Sequence, residues 1–84
     1  MGMTVNYELT DTFGGEPNYA WVRRHTDDVK PTVKDRELIR RAKAWAGWTG
    51  MQCDTDSYDG SITIRPRSTG IHQILFVNIH YNGE

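Results

Sequence analysis

One segment of the sequence, residues 32–47 (T-V-K-D-R-E-L-I-R-R-A-K-A-W-A-G), has a helical period and marked ends. Thr32 and Asp35 have the spacing of a capping box, and Gly47 suits the left-handed position that ends a helix. A helix with one apolar stripe requires a surface on which to pack, so the rest of the chain must supply one. The stripe consists of Leu38, Ile39, Ala42, Trp45 and Ala46.

Two tryptophans lie near the end of this predicted helix. Trp45 is in line with Leu38 and Ala42, so we expect it to be buried against the packing surface. Trp48 follows the terminating Gly47, so we expect it to be more exposed.

The segments on either side of the helix have the patterns of strands, with alternating or β-branched and aromatic residues. The first two are separated by a predicted loop at residues 13–18, and Asp59-Gly60 predicts a two-residue hairpin turn. Residues 72–81 are apolar on both faces, which is typical of a central strand. The predicted strands are residues 4–10, 19–25, 51–55, 61–67 and 72–81.

The order ββαβββ predicts an α+β fold. We expect one domain over residues 1–84, with a mainly antiparallel sheet of about five strands and the helix packed on one face. The chain has 84 residues, 37% of them hydrophobic and 25% charged, which suits a soluble globular domain. No apolar run approaches the roughly 20 residues that a membrane-spanning helix needs. The lone Cys53 cannot form an internal disulfide, and this favours a cytoplasmic location.

The net charge of −1 is unevenly distributed. Residues 23–43 contain eight basic and four acidic residues, a net +4, and the flanking segments are acidic. A general nucleic-acid-binding domain is usually strongly basic throughout, so the overall balance argues against that class. It argues equally against a heavily acidic mimic of DNA.

Three stretches together resemble a group of small proteins that bacteriophages and other bacterial mobile elements encode. They are residues 8–24 (E-L-T-D-T-F-G-G-E-P-N-Y-A-W-V-R-R), 41–50 (R-A-K-A-W-A-G-W-T-G) and 62–66 (I-T-I-R-P). The likeness covers most of the chain. Some small phage proteins of this size are anti-CRISPR or other anti-defence proteins, which act by binding a host protein. The resemblance therefore implies a setting in the cytoplasm of a bacterial host, and it transfers no functional residues.

The first candidate binding surface is the basic face of the predicted helix, formed by Arg36, Arg40 and Lys43, with Lys34 and Arg41 beside it. Arginine suits either phosphates or an acidic protein surface, because its planar fork donates paired hydrogen bonds. The alternative is an ordinary solvated helix face, in which Glu37 and Arg41 form an i, i+4 ion pair.

The second candidate is the strand over residues 19–25. Regular alternation places Tyr19, Trp21 and Arg23 on one face and Arg24 on the other. Aromatic and arginine side chains are common at the centres of protein interfaces, and they also stack on single-stranded bases. The alternative places Trp21 in the core.

Catalytic and metal-binding motifs are missing from the sequence. Asp54, Asp56 and Asp59 have the wrong spacing for a calcium loop, and the histidines and Cys53 have no zinc-ligand spacing. We therefore expect no cofactor, no metal and no enzymatic activity. The sequence predicts a protein that binds a host protein or nucleoprotein complex stoichiometrically. The alternative is a small nucleic-acid-binding module that uses the basic helix face and the aromatic strand.

Overall fold

The computed structural model describes residues 2–68 and 70–81. Within that part of the chain, five strands form one antiparallel sheet and one helix packs on it, which confirms the predicted α+β fold and its ββαβββ order. The elements are β1 (Met3–Phe13), β2 (Glu16–Val29), α1 (Asp35–Ala46), β3 (Cys53–Tyr58), β4 (Ser61–Pro66) and β5 (Gln73–Tyr81).

The strands lie in the order β2-β1-β5-β4-β3, and every neighbouring pair is antiparallel. β5 occupies the middle of the sheet, as its apolar residues on both faces predict. β2 and β3 form the two edges. The segment that contains α1 joins these edges, so the helix crosses one face of the sheet and leaves the other face open.

The core lies between α1 and the central strands. Val5, Tyr7 and Leu9 alternate along β1 and are buried, and Leu38 and Ala42 are the buried residues of the helix. Leu9 and Tyr7 stand opposite Leu75 and Val77 of β5. The buried side chains that alternate along the strands thus pack against the apolar stripe of the helix, as two amphipathic elements require. The other buried hydrophobic side chains of this core are Met3, Val29, Trp48, Ile62 and Ile64.

The start of α1 differs from the prediction. The helix begins at Asp35, and the preceding Lys34 is extended and makes no side-chain capping bond, so the predicted capping box is wrong. Thr32 belongs instead to a turn closed by the N–H of Val33, which donates to the carbonyl oxygen of Lys30 at 3.0 Å. The end is as predicted, with Gly47 in the left-handed region at φ 81°.

The prediction for the two tryptophans is wrong. Trp48 is only 5% exposed and belongs to the core, whereas Trp45 is only partly buried at its margin. The reason is the way the helix ends. The N–H of Trp48 donates to the carbonyl oxygen of Lys43 and that of Gly47 to Ala44, a Schellman pattern that folds the chain back. That reversal carries Trp48 onto the core.

The predicted loop at residues 13–18 is also wrong. β1 and β2 run almost to the hairpin tip, where Phe13 pairs with Glu16 and only Gly14 and Gly15 form the turn. Both glycines have positive φ, at 63° and 84°, as the two central residues of a type I′ turn require. Pro17 is accommodated inside β2 because that strand lies at the edge of the sheet.

The face of the sheet opposite α1, hereafter the open face, has a row of polar side chains across four strands. Thr26 donates to the side-chain oxygen of Asn6 at 3.0 Å, and Ser61 donates to that of Asn78 at 2.6 Å. Asn6 and Asn78 pair directly, so a row of hydrogen-bonding side chains crosses β2, β1, β5 and β4. Such a face can meet water without a covering layer, as antiparallel sheets commonly do.

Candidate binding surfaces

The β1–β2 hairpin contains a large irregularity near its tip. Thr10 pairs with Val22 and Thr12 pairs with Pro17, so the four residues 18–21 of β2 stand opposite the single residue Asp11 of β1. Bulges of this kind bend a strand and redirect its side chains, and they are frequent near functional sites.

Asp11 holds the bulge in place. Its carboxylate accepts hydrogen bonds from the side-chain amide of Asn18 at 2.8 Å and from the backbone N–H of Ala20 at 2.9 Å. The bond from Asn18, with that from Ala20, lowers the pKa of Asp11 below its usual range despite some desolvation. The hydroxyl of the buried Thr10 donates to the carbonyl oxygen of Trp21 at 2.8 Å. The bulge is therefore a defined structure fixed at both ends.

The bulge and the tip display three aromatic side chains, here called the aromatic hairpin end: Phe13, Tyr19 and Trp21. Their exposed fractions are 79%, 54% and 38%. Tyr19 also has a left-handed backbone, with φ 57°, which is rare and strained for a bulky residue. Three of the four exposed large hydrophobic side chains among the described residues therefore belong to the end of one hairpin.

The hairpin turn is held against the rest of the sheet by Arg65. Its guanidinium donates to the carbonyl oxygen of Gly15 at 3.0 Å. β5 lies between β1 and β4, so this bond requires the turn to lean across β5. Ile74, which pairs with Thr10 on the open face, is fully buried there, in agreement with a hairpin end that covers it. The aromatic side chains are thus carried by a supported hairpin.

The predicted face of Tyr19, Trp21 and Arg23 depends on unbroken alternation, which the bulge interrupts. Beyond the bulge, Arg23 lies on the helix side, with its Cζ 5.2 Å from the centroid of the Trp45 ring. Arg24 lies on the open face and donates to Glu8 at 2.9 Å. Arg23 and Arg24 therefore do face opposite sides. The alternation of the strand gives no sign of the three extra residues in the bulge.

Trp45 belongs to a stack at the seam between β2 and α1. Its ring lies 5.9 Å from the ring of His25 and 5.9 Å from that of Tyr7, and Arg23 covers it. The hydroxyl of the buried Tyr7 donates to Asp27 at 3.2 Å. Burial, together with the charge of Asp27, raises the pKa of Tyr7 to about 12. Tyr7 therefore stays neutral at physiological pH, where it supports the seam as a hydrogen-bond donor.

Ion pairs extend this seam along the helix. Arg41 donates to Asp27 at 3.3 Å and to Glu37 at 2.9 Å, which confirms the expected i, i+4 pair. Arg40 binds the same Glu37 through two hydrogen bonds, of 2.6 and 3.0 Å. The bonds from Arg40 and Arg41 lower the pKa of Glu37 to about 2. Two of the arginines of the predicted basic face are thus already paired within the chain.

The predicted basic face does come together in space. Arg36, Arg40 and Lys43 line one shallow groove of about 380 Å³, here called the basic helix groove. Its other lining residues are Ile39, Ala44, Thr49 and Gly50. Arg40 is engaged with Glu37, and the ammonium of Lys43 donates to the carbonyl oxygen of Met51. Arg36 makes no hydrogen bond or ion pair to any other described residue.

Within residues 2–68 and 70–81, no group of three or more histidine, cysteine, aspartate or glutamate side chains is arranged to hold a metal ion. Burial raises the pKa of the Cys53 thiol, which disfavours the thiolate that a nucleophile requires. For the part of the chain described, we also find no helix that is both long enough and apolar enough to cross a membrane.

No protein-family model, curated protein or solved structure matches this chain.

Proposed function

We propose that this protein is a non-enzymatic binding protein that uses the aromatic hairpin end to hold one host macromolecule stoichiometrically. The observation that carries the proposal is the four-residue bulge, which keeps Tyr19 in a left-handed conformation and leaves it and Trp21 exposed. Strained backbone persists where the surrounding structure maintains it, and it is concentrated at sites of function.

The chemistry of the aromatic hairpin end favours a protein partner. Aromatic side chains contribute large contact areas with few rotatable bonds, and they dominate the energetically important centres of protein interfaces. The support from Asp11 and Arg65 orders the hairpin before binding, which reduces the conformational entropy that association costs. In the setting that the resemblance implies, the partner is a host protein or nucleoprotein complex of bacterial defence, and binding inhibits it in the manner of an anti-CRISPR protein.

The proposal is tested by capture from bacterial lysate on immobilised protein. Wild-type protein is compared with a variant in which Phe13, Tyr19 and Trp21 are all serine. Tyr58→Ser is the matched control, because Tyr58 is an exposed aromatic residue (82%) on the β3–β4 hairpin. We expect near-equimolar capture by wild type and by Tyr58→Ser, and loss of capture by the triple variant with an unchanged circular dichroism spectrum.

Capture that survives the triple serine variant would contradict the proposal, as would turnover of a substrate at sub-stoichiometric protein. Inhibition of defence is measured separately, as phage plating efficiency on hosts with and without an active defence system. Expression of the wild-type protein should raise plating efficiency in the defended host alone.

A second candidate function is nucleic-acid binding by the basic helix groove, favoured by the convergence of Arg36, Arg40 and Lys43. Binding through three cations predicts that log K falls with log salt concentration at a slope of about −3. The variant Arg36→Glu/Arg40→Glu/Lys43→Glu separates the two functions. We expect it to retain the captured host protein, whereas a groove that binds phosphates would lose its ligand.

A further inference from the structure

The edge formed by β2 is open along most of its length. On one side, residues 22–29 pair regularly with β1. Within the described ranges, no backbone hydrogen bond from any other segment reaches residues 22–28 on the opposite side. Residues 23–26 and Asp28 are exposed. A long regular edge of this kind offers unpaired backbone donors and acceptors to another strand.

The charges along this edge change sign at Thr26. Arg24 and His25 precede Thr26, and Asp27 and Asp28 follow it. Arg24 and Asp28 lie on the open face, opposite Glu8 and Thr4 of β1. His25 and Asp27 lie on the helix side, where they contact Tyr7. Each face of the edge therefore has a cationic or hydrogen-bond-donating group on one side of Thr26 and a carboxylate on the other.

We propose that the β2 edge binds a second copy of this chain, with the two β2 strands antiparallel about a two-fold axis at Thr26. In this register Arg24 stands opposite Asp28 of the second copy, and His25 stands opposite Asp27 of the second copy. The symmetry repeats each pair, so four complementary contacts form in one isologous interface. The guanidinium side chain of Arg24 is 72% exposed, and its remaining N–H groups can reach a second carboxylate beside Glu8.

The other possible registers are less complementary. A two-fold axis at His25 opposes Arg23 to Asp27 but leaves Arg24 opposite Thr26. An axis at Asp27 opposes Arg24 to Lys30, which repels it. On the opposite edge, an axis at Thr55 near the middle of β3 sets Asp54 against Asp56 twice, so that register is repulsive. Charge thus favours the β2 edge with the register at Thr26, which forms a closed dimer.

The test is the oligomeric state of the full chain, measured by analytical ultracentrifugation up to about 100 µM, a range that covers interfaces of micromolar affinity. We expect a monomer–dimer equilibrium for the wild type. Arg24→Asp and Asp28→Arg each convert two attractive contacts into repulsive ones, so each should weaken dimerisation about tenfold or more. The double variant Arg24→Asp/Asp28→Arg restores opposite charges and should recover the dimer.

Arg36→Asp is the matched control, since Arg36 lines the basic helix groove, whose lining includes no residue of β2, and this variant should dimerise as the wild type does. A second measurement on the wild type alone guards against misfolded variants: amide hydrogen exchange in residues 22–28 should slow as the protein concentration rises. A wild type that stays monomeric, an unaltered dimer in both single variants, or a ladder of open-ended oligomers would overturn the proposal.

Discussion

The β1–β2 hairpin and the β3–β4 hairpin are closed by the same kind of turn but differ in the strand pairing that follows it. Gly14-Gly15 and Asp59-Gly60 each form a two-residue turn in which both residues have positive φ. The β3–β4 ladder then continues without interruption, from Tyr58–Ser61 to Cys53–Pro66. The β1–β2 ladder is interrupted by a four-residue bulge before it becomes regular again.

The comparison shows that the turn does not require the bulge. A regular ladder follows directly from an equivalent turn in the same sheet, so the strained Tyr19 and the exposed Trp21 are not consequences of hairpin closure. Both features oppose stability, since a left-handed bulky residue and an exposed apolar surface are each unfavourable. This arrangement, which Asp11 and Arg65 hold in place, is the structural basis of the binding role proposed above.

The largest expected difference in the free energy of unfolding is between variants of the buried Trp48 and of the exposed Trp21. Trp48 is 5% exposed and Trp21 is 38% exposed. Trp48→Ala should lower the free energy of unfolding by about 3–5 kcal/mol, the usual range for truncating a core aromatic residue. Trp21→Ala should lower it by about 1 kcal/mol or less. Chemical denaturation of both variants measures this, and equal losses would show that Trp21 is a structural residue.

The two turns themselves should prove equivalent. Gly15 and Gly60 have φ of 84° and 82°, and an added Cβ would meet no atom closer than 3.9 Å at either position. Gly15→Ala and Gly60→Ala should therefore each lower the free energy of unfolding by about 1 kcal/mol, the cost of a left-handed conformation for a residue with a side chain. Thermal denaturation provides the measurement. A much larger loss at Gly15 would show that the turn and the bulge are one structural unit.

Relief of the strain at Tyr19 should stabilise the protein. Asparagine tolerates the left-handed region better than tyrosine does, so Tyr19→Asn should raise the free energy of unfolding by about 0.5–1 kcal/mol. Asp59→Asn in the β3–β4 turn is the control and should change little, because both residues tolerate the φ of 50°. If Tyr19→Asn is destabilising, the tyrosine ring stabilises the bulge by packing. The bulge would then not lower the stability of the β1–β2 hairpin relative to the β3–β4 hairpin.

A smaller, local effect should follow acidification. The lowered pKa of Asp11 means that its carboxylate stays ionised, and keeps its bond to the Ala20 N–H, below the pH at which an aspartate normally titrates. This stabilisation is present at neutral pH and is lost as the pH falls through the lowered pKa. The amide resonance of Ala20, followed by NMR, should shift with a midpoint below the usual aspartate range, and the shift should disappear in Asp11→Asn.

Patterns in the sequence were sufficient for most of the fold. The apolar stripe of α1 and the alternation of β1 predicted both elements, and Asp59-Gly60 predicted its turn, because each depends on local periodicity or on φ preferences. The helix start at Asp35 and the burial of Trp48 were missed. Both depend on how the chain is folded against the core beyond the helix ends, which periodicity does not encode.

The candidate site was predictable only in part. The spacing of Arg36, Arg40 and Lys43 correctly placed them together, since helix geometry brings such positions to one face. Tyr19 and Trp21 were identified as interface residue types, but the bulge that exposes them depends on Asp11, nine residues from Ala20 in the chain. No alternation pattern signals a bulge of four residues, and the sequence indicates Phe13 only as the first residue of a predicted loop at residues 13–18 that could be functional.

Amide hydrogen exchange of the protein alone and in complex with the captured host partner distinguishes the aromatic hairpin end from the basic helix groove as the contact surface. We expect slower exchange on binding in residues 12–22, with exchange in α1 unchanged. Slower exchange along α1 and around Thr49-Gly50, with residues 12–22 unaffected, would instead identify the basic helix groove as the contact and show that the aromatic hairpin end is not the binding surface.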